Sequence, residues 1–252
     1  MIWGYMQGIG GRPPIPIELD IQDYCHALIT GATGSGKSYA LLYLLGSLLQ
    51  SNPAIEVYFC DYKNSEDFSF LEGYSYYYAG DSCYEGVEKY YEMFQQSRRN
   101  RSMDRRRLLI FDEYPAFLNG LSLIDKREKT KKVNDVLSMI AEILMLGRGI
   151  QYGVWIVTQR ADASLFANGA RDNLTVKIGF SRLSKEQKGM IFAGEEIPAK
   201  TFKRGEGMIL ADGHDIKEIK IPKINGIHDW KRHIKMILRE NESSENLGQY
   251  AP

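Results

Sequence analysis

The chain has 252 residues, 44% of them hydrophobic, and its 32 Lys+Arg balance its 32 Asp+Glu. That suits one large domain, or one domain with a small appendage, and is enough for a sizeable core. The neutral balance announces no polyanionic partner, although a ring can carry its basic groups on a few pore loops.

The opening "MIWGYMQGIGGRPP" is Gly/Pro-rich rather than apolar, so no secretory signal is expected there. Apolar runs then alternate with helical patterns, which argues for parallel βα units in a doubly wound α/β sheet. The first run predicts a strand near 27–30, and a helix follows over 37–50. Between them Gly31-x-x-x-x-Gly36-Lys37-Ser38 matches GxxxxGK[ST]. Its glycines let successive N–H groups and the helix N-terminus point at phosphates. Lys37 would reach the β and γ oxygens of ATP, and the Ser38 hydroxyl would bind Mg²⁺. Gly31, Ala32, Thr33, Gly34, Ser35, Gly36, Lys37, Ser38 and Tyr39 are therefore expected to line the nucleotide. The helix carries the longest greasy segment, "ALLYLLGSLL", about half of a membrane crossing, so at a membrane another chain would be the anchor.

Strands are predicted next near 56–60 and 75–79, then a helix over 84–98. The aromatics of "GYSYYYAGD" (73–81) fit a strand with alternate faces buried, or a surface on which bases stack. "RRNRSMDRRR" (98–107) brings six arginines just before the next strand, as solvated loop residues or as phosphate-backbone contacts. That strand, 107–112 in "RLLIFDEY", delivers Asp112 and Glu113 to its end. Asp112 can hold the Mg²⁺ water shell and Glu113 can polarise an attacking water; an acidic helix cap is the other reading. Asp followed by Glu favours hydrolysis over transfer to a small molecule, as does the gap of roughly 75 residues between the two motifs. The pair reads as a mechanical ATPase.

A second charged run, "DKREKTKKVND" (125–135), leads into a helix over 131–147 and a strand over 152–158. That strand would run parallel and adjacent to the Asp-Glu strand. Gln159 would then sense the γ-phosphate or orient water. Arg148, at the end of the preceding helix, is either a C-terminal cation or an arginine finger for a neighbouring subunit's nucleotide. Lys63 and the two basic runs are further candidates for pore contacts. Strands near 174–180, 207–211 and 216–221 and helices over 184–192 and 228–239 complete the pattern. Residues 1–240 read as a single domain, and 241–252 as a polar, disordered tail. Cys25, Cys60 and Cys83 lack metal spacing and read as free thiols of a reducing cytosol, and the four histidines form no ligand set.

The order TGATGSGKS, "VYFCDYKN", "LLIFDEY", "GRGIQYGVWIVTQR", with "NLTVKIGFSRLSKEQKGMIF" and "RGEGMILADG" beyond it, resembles the FtsK/SpoIIIE motor family of the HerA–FtsK group over roughly residues 12–225. The resemblance implies a RecA-like P-loop fold, with a mostly parallel central sheet flanked by helices. It also implies homo-hexameric rings that thread double-stranded DNA and hydrolyse ATP at subunit interfaces. Carried over, Lys37 and Ser38 hold nucleotide and metal, Asp112 coordinates, Glu113 activates water, Gln159 senses and Arg148 is the finger, while Arg160 braces the strand end. Tyr62 and Ala161 stand where the family usually has proline, and "RGEG" fits only with a one-residue shift, so Arg204 is not carried over. The segment shows no anchor and no winged-helix DNA reader, like motors of mobile elements that drive or couple DNA transfer. A cytoplasmic protein is expected, held at the membrane's inner face only through an anchored partner or a relaxase-type protein. Two alternatives stay open: a secretion-system ATPase acting on polypeptides, and a nucleotide-dependent scaffold. The intact Glu113 argues against the scaffold.

Overall fold

Every residue of His26–Gly31 is buried, as a strand covered on both faces requires. In the computed structural model, which describes residues 1–248 except 9, 168 and 199 (243–248 by backbone alone), this strand is central. The strands are β1 (Ile2–Met6), β2 (Ile15–Glu18), β3 (His26–Gly31), β4 (Glu56–Asp61), β5 (Tyr77–Ala79), β6 (Arg107–Asp112), β7 (Tyr152–Thr158), β8 (Val176–Phe180), β9 (Glu206–Ala211) and β10 (Lys217–Lys220). The α-helices are α1 (Lys37–Ser51), α2 (Cys83–Asn100), α3 (Tyr114–Glu128), α4 (Lys132–Leu146), α5 (Lys185–Ile191) and α6 (Ile227–Gly248). The sheet order is β2-β1-β10-β9-β8-β3-β7-β6-β4-β5. From β8 to β5 all pairings are parallel, and from β8 to β2 all are antiparallel. The expected mostly parallel α/β sheet is present, and β7 is the parallel neighbour of β6, as expected.

Side-chain alternation along the central strands fills two cores. Ala27, Ile29, Leu108, Ile110, Trp155 and Val157 face one side, with the buried stripes of α1 and α6. Leu28, Leu109, Phe111, Val154 and Ile156 face the other, with α2, α3, α4 and α5. This period-two pattern, with both parities apolar, is what made the strands readable.

Two strands and a helix escape the sequence reading. β1 and β2 lie in the Gly/Pro-rich opening, yet Trp3 is fully buried and its ring sits 5.1 Å from that of Trp155. Pro16 is tolerated because β2 is the edge strand. α3 begins at the Tyr114-Pro115 step, where a proline in the first turn sacrifices no hydrogen bond. Its last turn holds the first residues of the basic run 125–135. Asp125 accepts from the backbone N–H of Lys132 (2.9 Å) and Val133 (3.0 Å), so it caps α4 from the end of α3.

The arginine run is largely structural. Arg107, nearly buried, pairs through Nε with the buried Glu56 (3.0 Å), and Arg105 reaches the same carboxylate at 3.3 Å. Arg98 pairs with Glu142, and Arg106 donates to the Ile21 carbonyl. These four guanidinium groups have partners within the chain, which displaces the phosphate-contact reading for them. The 73–81 aromatics likewise turn inward: Tyr74 and Tyr78 are buried, and Tyr76 and Tyr78 stack on Tyr58. The three cysteines are buried and free. α6 runs past residue 239 to Gly248, so 241–248 of the expected disordered tail are helical. Asn241 explains the extension, since its amide donates to the carbonyls of Pro53 (2.8 Å) and Ile55 (3.0 Å). Residues 249–252 lie outside the described residues. No helix among the described residues is long and apolar enough to cross a membrane.

Candidate active site

The chain leaves β3 at Gly31 and turns through Ser35, whose N–H donates to the Ala32 carbonyl (3.1 Å), before α1 starts at Lys37. Gly34 (φ 80°) and Gly36 (φ 98°) hold left-handed backbone that side chains rarely adopt. A Cβ on Gly36 would also meet the Gly205 nitrogen at 3.0 Å. That nitrogen donates to the Ser35 carbonyl (2.9 Å), so the loop before β9 braces the turn. α1 has no side-chain cap and no acidic residue in its first turn. Its first N–H groups and the positive end of its dipole are therefore free for an anion. The Ser35 hydroxyl is buried without a hydrogen-bond partner. An uncapped helix start, an orphaned hydroxyl and two obligate glycines fit a phosphate chain.

Lys37 is mostly buried, and its Nζ donates to the carbonyls of Gly31 (2.5 Å) and Ala32 (3.3 Å). Burial lowers its pKa, while the charges of Glu113 and Asp112 pull the other way. Asp112, only 4% exposed, lies beneath the cleft at the end of β6, directly opposite Asp61 of β4. Burial first, then the charges of Asp61 and Glu113, raise its pKa to about 7. Asp61 is itself raised by burial, although Asn64 and Ser65 N–H groups and the Tyr77 hydroxyl bond its carboxylate. Crowded, incompletely neutralised carboxylates within reach of the P-loop lysine's charge suit a hard dication. Among the described residues no cluster of three or more His, Cys, Asp or Glu could hold a metal unaided. The donor set thus fits Mg²⁺ shared between protein and phosphate oxygens.

Glu113 has left-handed backbone (φ 58°, ψ 42°) at the N-cap of α3, but its side chain makes no capping bond. The helix-cap alternative is therefore not realised. Instead the carboxylate meets Gln159, whose Nε2 donates to both of its oxygens at 3.3 Å. The Gln159 Oε1 accepts from the Thr33 hydroxyl at 3.1 Å. One amide from the end of β7 thus ties the P-loop to the acidic end of β6. It can do so because β7 lies between β3 and β6. Arg160 pairs with Glu186 (3.2 Å) and Asp162 (3.5 Å), which braces the strand end as expected.

These groups open onto a cleft of about 280 Å³. Thr33, Gly34, Gly36, Lys37, Ser38 and Tyr39 line it with Glu113 and Gln159, while the Gly31 and Ala32 carbonyls and Ser35 face inward. Sequence reasoning missed several of its walls. Lys63, considered there only as a pore contact, and Asp67 enter from the loop after β4. Arg204, set aside because of its one-residue shift, lines the phosphate end; its Cγ lies 3.2 Å from where a Gly36 Cβ would be. Leu42, Ile227 and Lys231 carried no motif at all. Arg148 is the predicted residue that the fold keeps away. It is exposed just before β7 begins, a strand length of roughly 20 Å from Thr158. Its charge acts on Cys25 and His26 at the far edge of the sheet.

A profile described as the FtsK/SpoIIIE family matches residues 3–189. The FtsK domain-containing protein YdcQ of Bacillus subtilis is 28% identical over 231 residues, covering 84% of this chain and 46% of that protein. The DNA translocase SftA of the same organism is 28% identical over 219 residues, covering 79% of this chain and 22% of that protein. The chain thus spans less than half the length of either relative. Among solved structures, the pCW3 conjugation coupling protein TcpA, a monomer form with ATPγS, superposes with a TM-score of 0.71 at 18% identity, over 94% of this chain and 69% of that one. That likeness establishes the RecA-like P-loop fold.

Proposed function

The chain belongs to the FtsK/SpoIIIE family of P-loop ATPases, and from that premise we propose that it is an ATP-hydrolysing motor that translocates double-stranded DNA as a homo-hexameric ring. The observation that carries the hydrolytic reading is the Gln159 amide bridging Glu113 and Thr33. It holds a carboxylate free of any capping role at the mouth of a phosphate cradle. In the proposed reaction the Lys37 ammonium binds the β and γ oxygens. Ser38 and Asp112 would hold Mg²⁺, which when bound would supply charge neutralisation at the phosphoryl oxygens. Glu113 takes the proton of the attacking water, and Gln159 orients that water and reports on the γ-phosphate. Residues 1–240 act as one motor domain in the cytoplasm, and its proposed partners are a membrane-anchored protein or a relaxase-type protein of a DNA-transfer reaction.

The DNA substrate is supported by family membership and by the named activity of SftA. It is tested by steady-state ATP hydrolysis at low salt across a range of protein concentration. Long duplex DNA is expected to stimulate turnover, more steeply as concentration rises. Hydrolysis indifferent to DNA at every concentration would overturn the DNA reading in favour of a polypeptide substrate.

Because Arg148 lies a strand length from its own cleft, it can act on phosphate only in a neighbouring copy. Mixing Arg148→Ala with Lys37→Ala chains is therefore expected to restore part of the hydrolysis that each has lost, since every mixed interface of one kind is intact. Rings that form but show no rescue at any ratio would remove Arg148 from the reaction.

A further inference from the structure

The cleft has a second end that the phosphate motifs do not explain. Tyr39 and Leu42 lie three residues apart on α1, and Ile227 faces them from the first turn of α6. Together they make an apolar wall beyond Ser38. Lys231, one helical turn after Ile227, stands on the same face, its Nζ 5.1 Å from the centre of the Phe70 ring.

The placement of α6 is built in rather than incidental. Trp230 donates from Nε1 to the Leu42 carbonyl (3.1 Å) and lies parallel to Tyr43. Gly46 makes room for it, since a Cβ there would lie 2.3 Å from the indole ring. The Tyr39 hydroxyl accepts from the Ile224 N–H (2.5 Å) in the turn that leads into α6. Trp230 and Ile234 thus anchor the inner face of α6, and Ile227 and Lys231 are left toward the cleft. All of α6, and Arg204, which also lines the cleft, lie beyond residue 189, where the family match ends.

We propose that Tyr39, Leu42 and Ile227 form the subsite for the nucleotide base, so that the C-terminal helix distinguishes a nucleoside triphosphate from bare polyphosphate. The inference rests on the ATP reading above and extends it to the non-phosphate half of the ligand. A flat, mostly apolar base gains by leaving water for such a wall, while the triphosphate is held by the P-loop whether or not a base is attached.

The test is titration calorimetry of the full chain with Mg·ATP and, separately, with Mg·tripolyphosphate, which has no base. Ile227→Ala is expected to weaken ATP binding about tenfold and to leave tripolyphosphate binding unchanged. Equal losses for both ligands, or no loss for ATP, would overturn the base subsite while leaving the ATPase reading intact. An unaltered chain that binds neither ligand would overturn both. Should Ile227→Ala fail to fold, hydrogen exchange of the unaltered chain decides the matter. Amides 227–232 are expected to gain protection with ATP but not with tripolyphosphate, and equal protection by the two would overturn the assignment.

Discussion

A Glu113→Gln chain is expected to bind ATP as tightly as the parent and to hydrolyse it at least about 100-fold more slowly, the usual range for loss of a general base. The substitution keeps the shape and the cleft position of the side chain. It also keeps α3 intact, because the Glu113 side chain makes no capping bond to lose. What disappears is the basic oxygen, and one of the two Gln159 contacts becomes an amide–amide meeting. Binding measured by calorimetry and turnover measured by phosphate release separate the two effects. Full turnover in the variant would remove Glu113 from the chemistry. A parallel loss of binding would mean that Glu113 supports the cradle instead of activating water.

The second large effect concerns stability. The folded state holds the Asp112 carboxyl at a pKa of about 7 against an ordinary 3.8, chiefly through burial and then through Asp61 and Glu113. Between these values the folded chain keeps a proton that the unfolded chain has released. The contribution of Asp112 to stability is therefore greatest below about pH 4 and falls as pH rises to about 7, by about 1.4 kcal/mol per pH unit and about 4 kcal/mol in all. Asp112→Asn removes the charge that causes this loss. Without Mg²⁺ or nucleotide, the variant is expected to exceed its parent in stability at pH 8 by several times the difference seen at pH 4.5. Urea unfolding at the two pH values measures this, with each variant compared with the parent so that the opposite trend of His26, held down to about 4 by burial, cancels. The same difference at both pH values would place Asp112 in the ordinary carboxylate range. With the expected pH-dependent difference, the candidate site would instead hold a carboxylate at a position that weakens the fold, as expected where it is buried beside two others.

The two predictions draw on different parts of what the sequence contains. Each of the three central motifs is a contiguous stretch in which an apolar strand delivers polar residues to its end. Strand burial on both faces forces an unbroken hydrophobic run, and the residues that interrupt it mark the sheet edge. Lys37, Ser38, Asp112, Glu113 and Gln159 were legible on that ground, and so was the alternation of strands and helices. The elements that were missed lacked such a signal. β1 and β2 are short and sit among glycines and prolines, and they become strands because Trp3 finds Trp155 and β1 finds the edge of β10. α3 begins on a Tyr-Pro step that reads as a break in a bare sequence. The arginines before β6 read as solvated loop residues or as phosphate contacts, and only the fold set Glu56, about 50 positions away, against Arg105 and Arg107.

The sequence by itself therefore determined that the chain has a phosphate-binding turn, an acidic strand end and a parallel α/β sheet, because each is encoded by neighbours along the chain. Only the tertiary structure decided that β7 lies between the other two strands, so that Gln159 can touch both Thr33 and Glu113. It alone set Arg148 at the opposite edge and brought Arg204, Ile227 and Lys231 to the cleft. The reason is that side-chain periodicity records which face of an element is buried but not what covers it. Partners far apart in the chain are chosen by packing and hydrogen bonding in three dimensions.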